Sequence, residues 1–257
     1  MLEAAIFGAV AQSALVVGAL LVWRFPRLKR PALVGALMAF GAGAVISAVA
    51  IDLVAVSYDE AGELPTALGI AIGCLLYFGI IKLLERRQDR GKSVNAPHEV
   101  TQSPSDHGAT KQEARNLTIG MVIDGVPESI AVGLTLHTAT IGVSGALVGS
   151  IFISAVPEAI GIAAAMLAGG LALGGILLRF SAIVVLGAIF SALGFTVLVN
   201  ASDSMQAIIQ SIAAGALLVV VINEMIPIAV RSIKGWAGII GAAGFVFSAF
   251  LTWASGG

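Results

Sequence analysis

Ala4–Trp23 reads AAIFGAVAQSALVVGALLVW and carries no charge from end to end. A helix crossing the hydrocarbon core of a bilayer needs about 20 such residues. Seven further stretches are long and apolar: Pro31–Ile51, Leu64–Ile81, Asn116–His137 (carrying Asp124 and Glu128), Thr138–Leu167 (carrying Glu158), Phe180–Val199, Met205–Asn223 and Gly235–Trp253. The runs are continuous rather than alternating, so helices are expected and a barrel is not. The 257 residues are 58% hydrophobic and only 11% charged, where soluble domains average about 25% charged. An ordinary soluble domain is thereby excluded. The 31 glycines are spread through the apolar stretches, which excludes collagen and low-complexity sequence. The single cysteine, Cys74, rules out an internal disulfide.

Charge placement sets the expected topology. All 14 basic residues fall between spans 1 and 2, between spans 3 and 4, before span 6, or between spans 7 and 8. With eight spans these positions share one side, which the positive-inside rule makes cytoplasmic. Glu3, Asp59, Glu60, Glu63 and Asp203 lie on the other side. The expectation is an all-α integral membrane protein with eight transmembrane helices, both termini extracytoplasmic and no cleaved leader. Residues 1–257 form one transmembrane domain, and residues 85–113, mixed in charge and rich in Ser, Pro and Gln, read as a flexible cytoplasmic loop.

Two internal echoes suggest an inverted repeat. Val126-Pro127-Glu128-Ser129-Ile130 resembles Val156-Pro157-Glu158-Ala159-Ile160 on the next, antiparallel span. Ala42-Gly43-Ala44 precedes Asp52 at the spacing by which Ala214-Gly215-Ala216 precedes Glu224. Transporters built from inverted repeats hold their substrate at the midplane between broken or kinked helices.

Asp124, Glu128 and Glu158 carry the chemistry. An intramembrane carboxylate costs about 2.5–3.5 kcal/mol on insertion scales, so three on adjacent spans point to function. Asp124 and Glu128 share a helix face, as do Ser154 and Glu158. Like charges so placed are relieved by a divalent cation or by exchanging protons. Pro127 and Pro157 each free a backbone carbonyl one turn earlier. The rival reading is two kinked helices with protonated, hydrogen-bonded acids. Asp52, Asn223 and Glu224 read as pathway residues passing ions in and out; alternatively the acids face headgroups at the membrane surface. His98, His107 and His137 are few and scattered, and loop or interfacial composition accounts for them. No phosphate loop, catalytic triad or His-containing zinc motif is present, so an enzyme is not expected.

These residues resemble the ZIP (Zrt-/Irt-like protein) family of divalent metal transporters, in its short-loop bacterial form. The span 4 motif His-Asn-x-Pro-Glu-Gly of that family is matched by Asp124-Gly125-Val126-Pro127-Glu128-Ser129. Its span 5 motif His-x-x-Pro-Glu-Gly is matched by Ser154-Ala155-Val156-Pro157-Glu158-Ala159. Glu224-Met225-Ile226-Pro227 matches its span 7. Both histidine positions are replaced, by Asp124 and Ser154. The resemblance implies an eight-span, ZIP-like inverted-repeat bundle in the bacterial inner membrane. Asp124, Glu128, Ser154 and Glu158 would bind the metal, which is cargo rather than a tightly bound cofactor. An all-oxygen site favours harder ions such as Mn²⁺, whereas the family favours Zn²⁺, Fe²⁺ or Mn²⁺. The expected partners are divalent metal ions and the lipid bilayer, with no nucleic acid; small-residue faces would equally support a homodimer or packing within one chain. Two other readings keep the fold: a carrier of a non-metal solute, and a transport-inactive sensor or assembly partner.

Overall fold

The computed structural model describes residues 1–89, 118, 121–122, 125–126, 128–133, 136, 141–168, 170–198 and 202–254. Every regular element among them is helical. Helix α1 is Leu2–Arg24, followed by a 3₁₀ turn at Pro26–Lys29. Helix α2 runs through Pro31–Ala48, a π-helical turn at Val49–Ala55, and Val56–Ala61. Helix α3 is Glu63–Asp89, α4 is Ile141–Ala168 and α5 is Leu173–Leu198. Helix α6 runs through Asp203–Val220, a second π turn at Val221–Met225, and Ile226–Ile233. Helix α7 is Trp236–Ala254.

Six of these helices, α1, α2, α3, α5, α6 and α7, are long and apolar enough to cross a membrane. They make this a multi-pass membrane protein by length and composition. The six coincide with the first, second, third, sixth, seventh and eighth apolar stretches. The fifth stretch is largely helical as α4. Of the fourth, the described residues within 118–136 are helical.

Local chemistry explains the helix ends. Pro31 begins α2, where its missing N–H would have been unpaired anyway. Gly62, with φ +82°, ends that helix after Ala61. The Ser202 side chain accepts from the Met205 N–H at the start of α6. Pro227 cannot donate to the carbonyl of Asn223, so the turn that ends at Met225 is wider than α-helical. No proline accompanies the π turn around Asp52.

Three boundaries differ from expectation. The second stretch does not end near Asp52: the helix continues to Ala61, because Leu53, Val54 and Val56 supply more apolar surface. Helix α5 starts at Leu173, which places Arg179 inside a helix, where its Nη1 donates to the Gly175 carbonyl at 2.8 Å. Helix α3 continues to Asp89, into the segment expected as loop, on the helix formers Leu83, Glu85, Arg86 and Gln88. Residues 90–113 of that segment lie outside the described residues.

Helix α1 packs on α4 and α5, α2 packs on α7 and α4, and α3 packs on α6. The buried apolar residues form two main cores. One joins α2, α6 and α7 through Met38, Val45, Leu53, Leu217, Met225 and Ala237. The other joins α1, α4 and α5 through Leu15, Val22, Ile160, Ile176 and Phe180. Large apolar side chains remain exposed on α3, α5 and α7, including Leu75, Phe78, Val185, Ile239 and Phe250. In water such faces would aggregate; in a bilayer they meet acyl chains.

Glycines bring some helices into backbone contact. A Cβ at Gly43 would collide with the Gly241 carbonyl oxygen, and one at Gly244 with that of Phe40, so α2 and α7 touch along their main chains. The same holds between α3 and α6. There a Cβ at Gly73 would meet the Ile212 oxygen, and one at Gly215 the Ile70 oxygen. Small residues are what permit such approach between membrane helices.

Candidate functional site

The best-defined polar cluster in the bundle is centred on a residue not singled out from the sequence. Gln12 lies at the middle of α1 and is only 2% exposed. Its Nε2 is 3.3 Å from Glu128 Oε2, 3.4 Å from Ser129 Oγ and 3.4 Å from the Gly125 carbonyl oxygen. Ser129 Oγ in turn donates to the Gly125 oxygen at 2.7 Å. The two amide hydrogens can therefore serve Glu128 and Ser129 while Ser129 serves Gly125. Glycines shape the socket. A Cβ at Gly187 of α5 would stand 2.5 Å from Gln12 Cγ and 3.1 Å from Ser129 Oγ. A Cβ at Gly125 would crowd the Gln12 amide at 3.2 Å.

This network fixes the depth of Glu128. The motif residue is drawn to the midpoint of a helix of membrane-crossing length. It is half-buried, and a neutral amide holds one of its oxygens. The amide is neutral, so it orients the carboxylate without supplying an opposing charge.

The second motif approaches α1 at a different level. A Cβ at Gly18 would stand 2.5 Å from Ala159 Cβ and 2.9 Å from the Val156 oxygen. The helical turn holding Pro157 and Glu158 therefore lies beside Gly18, about 9 Å along the α1 axis from Gln12 at 1.5 Å per residue. Ser154 and Glu158 are helical positions of α4; their side chains, and Asp124 as a whole, lie outside the described residues. His98, His107 and His137 lie outside them as well. Among the described residues no group of three His, Cys, Asp or Glu is placed to hold a metal ion.

Asp52 occupies a separate neighbourhood. It sits within the π turn of α2 and is 1% exposed, which removes the reading of an acid facing headgroups. Its Oδ2 accepts from Thr252 Oγ1 of α7 at 3.5 Å, and that hydroxyl also lies 3.4 Å from the Ser248 carbonyl. Among the described residues, Asp52 Oδ1 is buried without a hydrogen-bond partner, and so are Ser47 Oγ and Ser57 Oγ on the same helix. A π turn adds a residue to the helical circuit and re-aims the side chains it carries, a device common at functional sites. Glu224 lies in the π turn of α6, with its side chain outside the described set, and neighbouring Asn223 is exposed.

Sequence reasoning placed weight on acids and overlooked amides. Gln12 was the visible signal: an uncharged polar residue in the middle of an otherwise apolar span must find a partner there. Gln206 and Gln210 near the start of α6 are buried for the same reason. No protein-family model matches the chain, and no curated protein matches it.

Proposed function

We propose that the chain is a secondary transporter carrying divalent metal cations of the Zn²⁺, Fe²⁺ or Mn²⁺ type across the membrane into the cytoplasm. The architecture of this reading is an eight-span, ZIP-like inverted repeat in a bacterial inner membrane, both termini outside. The observation that carries it is Glu128, a carboxylate drawn to the midpoint of α1, with one oxygen held by the neutral amide of Gln12. The Gln12 amide is uncharged, so it brings no positive charge to compete with a cation at Glu128. Asp124, Ser154 and Glu158 complete the site on spans 4 and 5, and Asp52, Asn223 and Glu224 pass the ion in and out.

The glycine contacts support the repeat. One offset carries Phe40, Gly43, Val49 and Asp52 onto Ile212, Gly215, Val221 and Glu224. It thus relates both π turns and both glycines. An offset one residue shorter carries Ile70 and Gly73 of α3 onto Gly241 and Gly244 of α7. The α2–α7 seam then matches the α3–α6 seam contact for contact. A pseudo-twofold relation between segments of opposite direction favours alternating access, with one helix group moving against the other.

The test is uptake into proteoliposomes of Zn²⁺, Mn²⁺, Fe²⁺, Cd²⁺ and Mg²⁺ by the wild type, Glu128→Gln and Glu158→Gln. Uptake of one metal that both substitutions abolish is the expected result. Absence of uptake of every metal by folded protein would overturn the reading and favour a non-metal solute or a transport-inactive protein.

A further inference from the structure

A cavity of about 610 Å³ opens beside the turn that joins α1 and α2. Leu21, Phe25 and Leu28 form one wall, Leu37 of α2 faces them, and Val156 and Ile160 of α4 close it. Arg24 and Arg27 line the same cavity, and both are exposed. Among the described residues neither is paired with a carboxylate. The Arg24 guanidinium carbon instead lies 5.3 Å from the centroid of the Phe25 ring, which holds that cation at the cavity wall.

We propose that this cavity binds an anionic phospholipid, its acyl chain against the apolar walls and its phosphate on Arg24 and Arg27. The ligand follows from the join of two chemistries. The walls are hydrocarbon, and leaving them wet would forgo the gain of burying apolar area. The mouth is cationic, lined by Arg24 and Arg27, and the turn that carries them, residues 24–30, holds no acid in its sequence. A divalent cation is repelled by that charge. A soluble anion would satisfy the mouth and leave the walls empty. A zwitterionic lipid would fill the walls and bring a choline or ethanolamine cation to the arginines. An anionic lipid satisfies both parts, as basic pockets between membrane helices do.

The position gives the site a consequence. The cavity lies where α1 and α4 meet α2, so its occupant touches both helix groups. Val156 and Ile160 flank Pro157 and Glu158 in sequence, so the acyl chain rests on the turn that carries the second motif. The site stands on α1, α2 and α4 and does not depend on which substrate is carried.

The experiment is lipid titration of the intact, detergent-purified chain, read by native mass spectrometry. Phosphatidylglycerol is compared with phosphatidylcholine of identical acyl chains and with inorganic phosphate. The wild type should retain phosphatidylglycerol preferentially. Arg24→Gln and Arg27→Gln should each lower that retention about fivefold. Arg24→Lys and Arg27→Lys should keep most of it. Leu37→Trp, which intrudes on the cavity, should lower retention of both lipids. Lys82→Gln is the matched control: Lys82 is also exposed and rests on an aromatic ring, Phe78 at 5.0 Å, but lies on α3 away from the cavity. Folding of each variant is checked by its melting curve. Equal retention of the two lipids overturns the proposal. So does an equal loss in Lys82→Gln, which would mean general surface charge, or equal capture of inorganic phosphate, which would mean a soluble-anion site.

Discussion

Asp52 and Glu128 are both carboxylates inside a bundle of apolar helices, yet they are held in opposite ways. Asp52 is almost wholly buried, on a widened turn, with one long contact to a shared hydroxyl and one oxygen that meets no partner among the described residues. Glu128 is less buried, but it belongs to a network in which Gln12, Ser129 and Gly125 all have defined roles. Burial and fixation are thus separate properties. A fixed carboxylate suits a binding site, because its geometry is set before the ion arrives. A buried, loosely held one suits a relay, which must take up and release charge without a deep minimum.

The contrast can be broken most forcefully at Glu128. Glu128→Gln should lower metal uptake about 100-fold or more, the upper end of what loss of even an outer-shell partner costs. Its melting temperature should barely move, since an amide can still join the network. Proteoliposome flux and a melting curve on the same preparation check both halves. Next in size is Gln12→Met, which keeps the shape and deletes the donor. Apparent metal affinity should weaken about tenfold, as for other residues that orient a ligand. Turnover at saturating metal should change little. A loss of turnover with affinity intact would make Gln12 a packing residue only.

Asp52→Asn should have the opposite signature to Glu128→Gln. Replacing a poorly satisfied buried carboxyl group by a neutral amide should stabilise the fold by about 1 kcal/mol, while slowing uptake. A destabilised Asp52→Asn would mean that the carboxylate is better satisfied than its contacts indicate. Smallest of all, Thr252→Val should shift stability by about 0.5 kcal/mol, because a 3.5 Å contact shared with the Ser248 carbonyl is a weak hydrogen bond. Equal effects at Thr252 and Gln12 would erase the distinction between the two neighbourhoods.

Much of the helical framework was legible in the sequence. Long uncharged runs admit few structures besides helices, and six of them appear as helices able to cross a membrane. What was illegible depends on packing between helices. Nothing in Val49–Ala55 announces a π turn, since hydrophobicity at that stretch fits either circuit. The turn at Val221–Met225 was more readable, because Pro227 removes a donor. Asp52 looked terminal because a charge ordinarily ends a span, whereas the helix carries on and buries it. Of the candidate site, the Pro-Glu motif containing Glu128 was legible from rarity alone. Its dependence on Gln12 was not, because pairing across more than a hundred residues leaves no local pattern.

The backbone contacts at Gly43, Gly73, Gly215 and Gly244 have a consequence for how freely this sequence can drift. At each of them the neighbour in the way is a main-chain carbonyl, which no side-chain rearrangement can withdraw. Among the described residues, Gly79, Gly174 and Gly238 meet nothing within 4 Å. A saturation library should therefore split the glycines into two populations. At the first four even alanine is purged. At the others substitution passes unnoticed, although composition and hydropathy treat all seven alike.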